Sequence, residues 1–152
     1  MIVIRFVEEK DFDEVWRMGQ QFSKESVVPV QIEKTSLRSL FNCFIANPNS
    51  AVGIVAEKGG KLIGMLGVVI APHIFDNSVL ISEEIVWWVD KEYRFKVGIR
   101  LLNDAEEVLR NRGVKYFCMK YLHKEEFSPE VLKQFYKRKG YSELETSVVK
   151  EL

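Results

Sequence analysis

Between Glu84 and Leu102 the chain passes from an apolar run, Ile85-Val86-Trp87-Trp88-Val89, through a basic stretch, Arg94-Phe95-Lys96, to Val97-Gly98-Ile99-Arg100 and a patterned helix. The first turn of a helix presents unpaired backbone N–H groups and the positive end of the macrodipole. A strand that delivers the chain there, with Arg94, Lys96 and Arg100 alongside, makes a site for phosphate or pyrophosphate. Cationic side chains at a helix start are unfavourable by themselves. Their clustering therefore points to a bound anion, with a solvated basic loop as the plain alternative. The ligand that suits this chemistry is a phosphorylated cofactor and not a bare metal.

Other reactive side chains are sparse. His73 and His123 are the only histidines, and neither stands in a Cys/His spacing that would hold a metal. Cys43 and Cys118 each lie in an apolar run and read as reduced core thiols. The 22 basic and 22 acidic side chains cancel, so no global field recruits nucleic acid or an anionic membrane. Any polyanion must be held locally. The longest apolar run, Leu62 to Pro72, is too short for a membrane span. Met1 to Lys10 does not read as a signal peptide, and a cytoplasmic enzyme or binding protein is expected. The 152 residues fit one domain over 1–152, large enough to bury about two-thirds of its unfolded surface.

The elements that must position the basic helix start follow from periodicity. Ile2 to Val7 alternates as a first strand. Asp11 and Glu14 have capping-box spacing, and Phe12, Val15, Trp16, Gly19 and Phe22 follow as a helix. Ser23 to Glu33, with Pro29, has no clear period. A second helix from Thr35 carries Leu37, Leu40, Phe41, Phe44 and Ile45 and stops at Asn47-Pro48-Asn49. Ala51–Glu57 and Leu62–Ala71 are strands joined at Gly59-Gly60, and Ile81–Val89 is a third, after a turn near Asp76-Asn77. A helix from about Val97 to Arg112 turns Leu101, Leu102, Ala105, Val108 and Leu109 inward and is capped by Gly113. Val114 to Leu122 is a strand. Ser128-Pro129-Glu130 opens a helix that ends at Lys139-Gly140, and Tyr141 to Leu152 is a final strand or hairpin. The order β-α-α-β-β-β-α-β-α-β, with room for one more strand, gives an α/β (α+β) fold. Its mixed sheet has six to seven strands, is flanked by about four helices, and includes one right-handed parallel crossover.

In this order the sequence resembles the GNAT superfamily of acyl-coenzyme A-dependent N-acyltransferases. Tyr93-Arg94-Phe95-Lys96-Val97-Gly98-Ile99-Arg100-Leu101-Leu102 is similar to the family's pyrophosphate motif. It keeps the arginine, the last glycine and the leucine pair, lacks the first glycine and is one residue shorter. Phe135-Tyr136-Lys137-Arg138-Lys139-Gly140-Tyr141 looks like the family's Phe-Tyr-x-x-x-Gly-Phe. The resemblance implies a sheet splayed at its centre, with acetyl-coenzyme A as cosubstrate and no metal. Its pyrophosphate would lie on the amides from Arg94, Phe95, Lys96, Val97, Gly98 and Ile99 to Arg100. Its pantetheine would pair with the backbone edge from Ile85 to Trp88 and Val89, as an added strand does. A backbone N–H near Val89 would stabilise the oxyanion.

The resemblance further implies catalytic roles. Glu84 is similar to the strand glutamate that serves some members as base, and a carboxylate opening a buried strand has its pKa pushed toward that task. Strict alternation puts Glu84, Val86 and Trp88 on one face and Glu83, Ile85 and Trp87 on the other; which glutamate and which tryptophan face the cleft is left open. Tyr136 stands where the family's tyrosine protonates the coenzyme sulfur, and a phenol of pKa about 10 can protonate a thiolate of about 8.5. The implied partner is a primary amine, small or on a protein, bound by the first two helices and Ser23–Glu33. A non-catalytic GNAT-like module and a nucleotide-binding regulator stay open, as does the oligomeric state, a homodimer included.

Overall fold

A computed structural model describes residues 1–26, 30–121 and 128–152. Contacts group them into two compact units, Met1–Lys120 and Tyr121–Leu152. Alternating apolar residues, with glycine turns between them, build the first unit's sheet from β1 (Ile2–Phe6), β2 (Ala51–Lys58), β3 (Lys61–His73), β4 (Asp76–Val89) and β5 (Val114–Cys118), in that spatial order. Neighbours are antiparallel except β4 and β5, which are parallel and joined through helix α3 (Arg94–Asn111). The inward stripe of α3, Val97, Leu101, Ala105 and Leu109, covers one face of the sheet with Val52, Ile54, Leu66 and Val68. Helices α1 (Phe12–Glu25) and α2 (Lys34–Ala46) cover the other through Val15, Met18, Phe41 and Phe44. The second unit holds α4 (Pro129–Arg138).

The mixed α/β architecture and the four helices follow the expected order. The sheet, however, has five strands among the described residues, and residues 141–152 form none. Within their unit no second described strand offers the ladder that a strand requires. The β3–β4 hairpin runs further out than expected, with exposed Ile74 and Phe75 at its tip. Leu122, the predicted end of the strand after α3, lies outside the described residues.

Two local expectations are corrected. The capping box forms one turn earlier: Glu8 caps the Glu9–Asp11 turn, and Asp11 accepts from the Glu8 amide at 2.8 Å. Arg5 grips Asp11 with bonds of 2.7 and 2.9 Å and Glu57 at 2.6 Å, which bolts the β1–α1 connection to β2. Burial pushes the Asp11 carboxyl up, but the Arg5 and Glu8 hydrogen bonds outweigh it and hold the group below its ordinary range. Cys43 is exposed on α2, since it falls off the stripe of Leu37, Phe41 and Phe44, and Cys118 is half-buried.

Candidate active site

The site grows from an irregularity in β4. Gly67 pairs with Val86 while Val68 pairs with Glu84, so Ile85 is an extra residue on β4. The bulge turns Ile85 and Val86 onto the same α1–α2 side, where Trp88 also packs, while Trp87 and Val89 join the α3 side. The expected shared face for Glu84, Val86 and Trp88 is thereby broken. Gly67 makes room for the bulge, because a Cβ there would stand 2.8 Å from both the Phe44 ring and the Val86 side chain.

On its other side β4 pairs with β5 only from Leu80↔Val114 to Glu83↔Cys118. From Glu84 to Val89 it has no strand partner there among the described residues, so the sheet opens at this point. The Asp90 amide donates to Ile63 on β3 at 2.9 Å. By ladder alternation the preceding residue, Val89, directs its N–H and C=O into the opening.

Glu84 sits at the start of that opening, 7 % exposed, while Glu83 is exposed and paired with the Lys120 ammonium at 3.4 Å. Burial raises the Glu84 carboxyl to about 7, against the pull of the Lys120 amide, which donates to it at 3.3 Å, and of the Lys120 charge. A carboxyl with that pKa can exchange protons near neutrality.

At the far end of the opening a Lys91–Tyr93 turn leads straight into α3. The helix therefore begins at Arg94 and not at about Val97, and Arg94, Phe95 and Lys96 belong to its first turn. This end has no side-chain cap and no acidic residue in its first turn. The backbone of this first turn, which no side chain caps, lies beside exposed Lys96. The side chains serve other ends. Phe95 is 70 % exposed, Val97 is fully buried in the α3 core, and Ile99 is half-buried. A Cβ on Gly98 would meet the Trp87 ring at 3.4 Å, an ordinary packing distance, so α3 packs here on the Trp87 ring without requiring a glycine. Arg100 donates to the Ile2 carbonyl on β1 at 3.1 Å.

Arg94 is the most heavily engaged. Its Nη2 meets both Glu25 oxygens at 2.8 and 2.9 Å, its Nε donates to the Val89 carbonyl at 3.0 Å, and its guanidinium lies 4.8 Å from the Trp88 ring centre. Trp88 and Arg17 both donate to Asp90, at 3.3 Å each, and Arg17 reaches the Leu62 carbonyl at 2.8 Å. Sequence reasoning missed Glu25, Asp90 and Arg17. Their spacing along the chain carries no signal, since each partner is brought in by the tertiary fold.

Tyr136 belongs to the other unit. The Ser128 hydroxyl caps α4 by accepting from Val131, Pro129 takes the first helical position, and Gly140 at φ +90° reverses the chain. Tyr136 is 7 % exposed, ringed by Tyr121, Phe135 and Tyr141 at centroid distances of 6.0, 5.4 and 5.3 Å. His123, Val27, Val28 and Pro29 lie outside the described residues. His73 accepts from the Phe75 amide at 3.2 Å and shapes the hairpin tip. Among the described residues no three His, Cys, Asp or Glu side chains gather as metal ligands, and no helix is long and apolar enough to cross a membrane.

The profile of the acetyltransferase (GNAT) family matches residues 15–141. No curated protein matches the chain in a direct comparison. Among solved structures, a transcriptional regulator from Bacillus halodurans C-125 is similar at TM-score 0.77 and 20 % identity, with both chains covered in full. Glucosamine-6-phosphate N-acetyltransferase from Arabidopsis thaliana is similar at 0.74 and 18 %, over 99 % of this chain and 98 % of that one. AAC(6')-Iy, in complex with the bisubstrate analogue CoA-S-monomethyl-acetylneamine, is similar at 0.74 and 14 %, over 100 % and 98 %. At these identities the likeness is one of fold.

Proposed function

This chain belongs to the acetyltransferase (GNAT) family, and from that premise we propose that it moves an acetyl or short acyl group from acetyl-coenzyme A to a primary amine, by direct attack in a ternary complex. The observation that carries the reading is the β4 edge from Glu84 to Val89, which has no strand beside it on the β5 side among the described residues and leads to the cationic start of α3, where no side chain caps the helix. An extended amide-bearing chain ending in a pyrophosphate suits both halves: main-chain pairing along the edge and helix amides at its end. Acetyl-coenzyme A, when bound, supplies the activated acyl group.

In this reading the amides from Arg94 to Arg100 hold phosphate, with Lys96 adding charge. The engagement of the Arg94 guanidinium with Glu25 and of Arg100 with Ile2 favours backbone over side-chain contact at those two positions. Trp88 and Val89 shape the edge, and the Val89 N–H faces the developing oxyanion. Glu84, poised near neutrality, takes a proton from the acceptor's ammonium, directly or through water, and leaves the neutral amine to attack. Tyr136 gives a proton to the departing thiolate. Ser23–Glu33 and the first two helices bind the acceptor.

The second reading, a non-catalytic coenzyme-binding or interaction module, draws on the same occupied Arg94 and on the bulk of Phe95 at the helix start. Thermal shift with acetyl-coenzyme A, coenzyme A and ATP, followed by thiol release against an amine panel, separates them. Stabilisation by both coenzymes with turnover of an amine is the expected result. Stabilisation by ATP alone would overturn the acyltransferase reading.

A further inference from the structure

The hydroxyl of Ser82 is sealed from solvent, the residue being 1 % exposed, and its Oγ meets no hydrogen-bond partner among the described residues. Leaving a buried hydroxyl unbonded costs about 1–3 kcal/mol. Alanine at the same strand position would remove that cost with little change in shape, so retention of the hydroxyl asks for a reason.

Its place supplies one. Against β3, β4 keeps a regular register from Leu80, opposite Pro72, to Glu84, opposite Val68, while against β5 the register shifts between Leu80 and Ile81. Leu80 packs on the α3 side, and alternation carries Ser82 and Glu84 onto that same face. Residues two apart on a strand are separated by about 6.6 Å. A glutamate side chain lying along the strand closes that gap directly, and one bridging water closes it otherwise. Across the parallel ladder Ser82 pairs with Phe117 and Glu83 with Cys118, the last pair before β4 and β5 part. Ser82 thus lies just inside the vertex of the opening and Glu84 at its lip.

We propose that Ser82 is a positioning residue for Glu84: its hydroxyl turns about χ1 to donate to the carboxylate, directly or through one water, and so fixes the charged form for an incoming amine. The proton moves from the ammonium nitrogen to a Glu84 oxygen, and the Ser82 O–H bond stays intact throughout. A hydroxyl suits the part because it both donates and accepts, and can follow the carboxyl through either protonation state. The idea rests on the reading of Glu84 as the base.

Few other groups in the unit of residues 1–120 compete for that role. Glu83 points to the opposite face and pairs with Lys120. Lys120 acts on Glu84 through its amide and its charge. β5 brings Tyr116 and Cys118 into the ladder beside it, β3 presents Val68, and α3 turns Val97, Leu101, Ala105 and Leu109 to the sheet.

The test is a carbon-13 carboxyl titration of Glu84 by NMR in the full chain, with urea unfolding followed at each pH. Loss of one charge-assisted bond should move the Ser82→Ala midpoint upward by about one pH unit, with unfolding stability equal to or above the parent's while Glu84 is protonated and falling relative to the parent's as pH rises through the midpoint. Ser82→Thr, which keeps the hydroxyl, should restore the parent midpoint. Ser82→Cys, a weak donor of similar shape, should fall between and serves if the alanine variant does not fold. A Glu84 midpoint unchanged in both the alanine and cysteine variants overturns the proposal. Failure of the base reading has its own sign: Glu84→Gln would keep the full acyl-transfer rate while the midpoint shift on Ser82→Ala persisted.

Discussion

Replacing Glu84 with glutamine isolates the energetic consequence of a buried carboxyl in the opened sheet. The folded carboxyl titrates near about 7, against an ordinary value of 4.5, because burial disfavours its charged form. Below pH 4.5 folded and unfolded chains both hold the proton, and the site costs nothing. Between 4.5 and about 7 the unfolded chain releases its proton while the folded chain keeps it, so stability falls as pH rises. Above about 7 the loss is complete. At 1.36 kcal/mol per pH unit it is worth about 3 kcal/mol. Glutamine keeps the acceptor for the Lys120 amide and cannot ionise. The stability of Glu84→Gln relative to the parent should therefore climb by about 3 kcal/mol from pH 4.5 to pH 8. In a domain of this length that is on the order of 5–10 °C in melting temperature at the alkaline end. Urea unfolding at half-unit pH steps, read by tryptophan fluorescence, measures it. A difference that is flat with pH, or that shrinks as pH rises, would refute the buried-carboxyl argument. If Glu84 is also the base, the parent's rate should rise through about pH 7 and the variant's should not.

Tyr136→Phe keeps the aromatic packing of Tyr121, Phe135 and Tyr141 and should lower thiol release at saturating substrate on the order of 100-fold, the scale of general acid catalysis. An unchanged rate removes the proton-donor role. Lys96→Ala, at an exposed first-turn position, should weaken coenzyme A binding about two- to five-fold in calorimetry while leaving unfolding stability equal or slightly raised. Arg94→Ala should also destabilise by about 2 kcal/mol, because Glu25 and the Val89 carbonyl lose their donors; urea unfolding checks it, and retained stability would mean the pair contributes little. Gly67→Ala should cost about 1–3 kcal/mol through the clash with Phe44 and Val86. Gly98→Ala, whose new methyl fits at 3.4 Å from Trp87, should stabilise by about 0.5–1 kcal/mol through helix propensity. Denaturation curves for the two glycine variants should move in opposite directions.

Much of the fold was legible because its elements carry their own period. The stripe of Leu101, Ala105 and Leu109 marks α3, Gly59-Gly60 marks the β2–β3 turn, and Ser128-Pro129 marks the start of α4. The ends of elements were less legible. Arg94 to Lys96 read as a turn before the helix because a basic first turn is intrinsically poor, yet Glu25 from α1 neutralises Arg94 and lets the helix begin there. Strict alternation misassigned the face shared by Glu84 and Trp88, since a bulge leaves no mark in composition and depends on Gly67 and Phe44 across the sheet. Likewise Ser82 is an ordinary strand serine until burial strips it of partners. The basic helix start and the apolar strand before it were visible from residue type. The opening between β4 and β5 that joins them was implied only by the family resemblance, because it is a property of pairing.

The central claim is that a coenzyme A-like ligand lies along the open edge of β4 with its pyrophosphate on the first turn of α3. Amide-resolved NMR during titration of the full chain with coenzyme A tests it most directly. Saturable shifts concentrated at Trp87, Val89 and the amides from Arg94 to Arg100 are predicted. Unchanged amides in both segments at saturating coenzyme A, or shifts confined to another part of the chain, would contradict it.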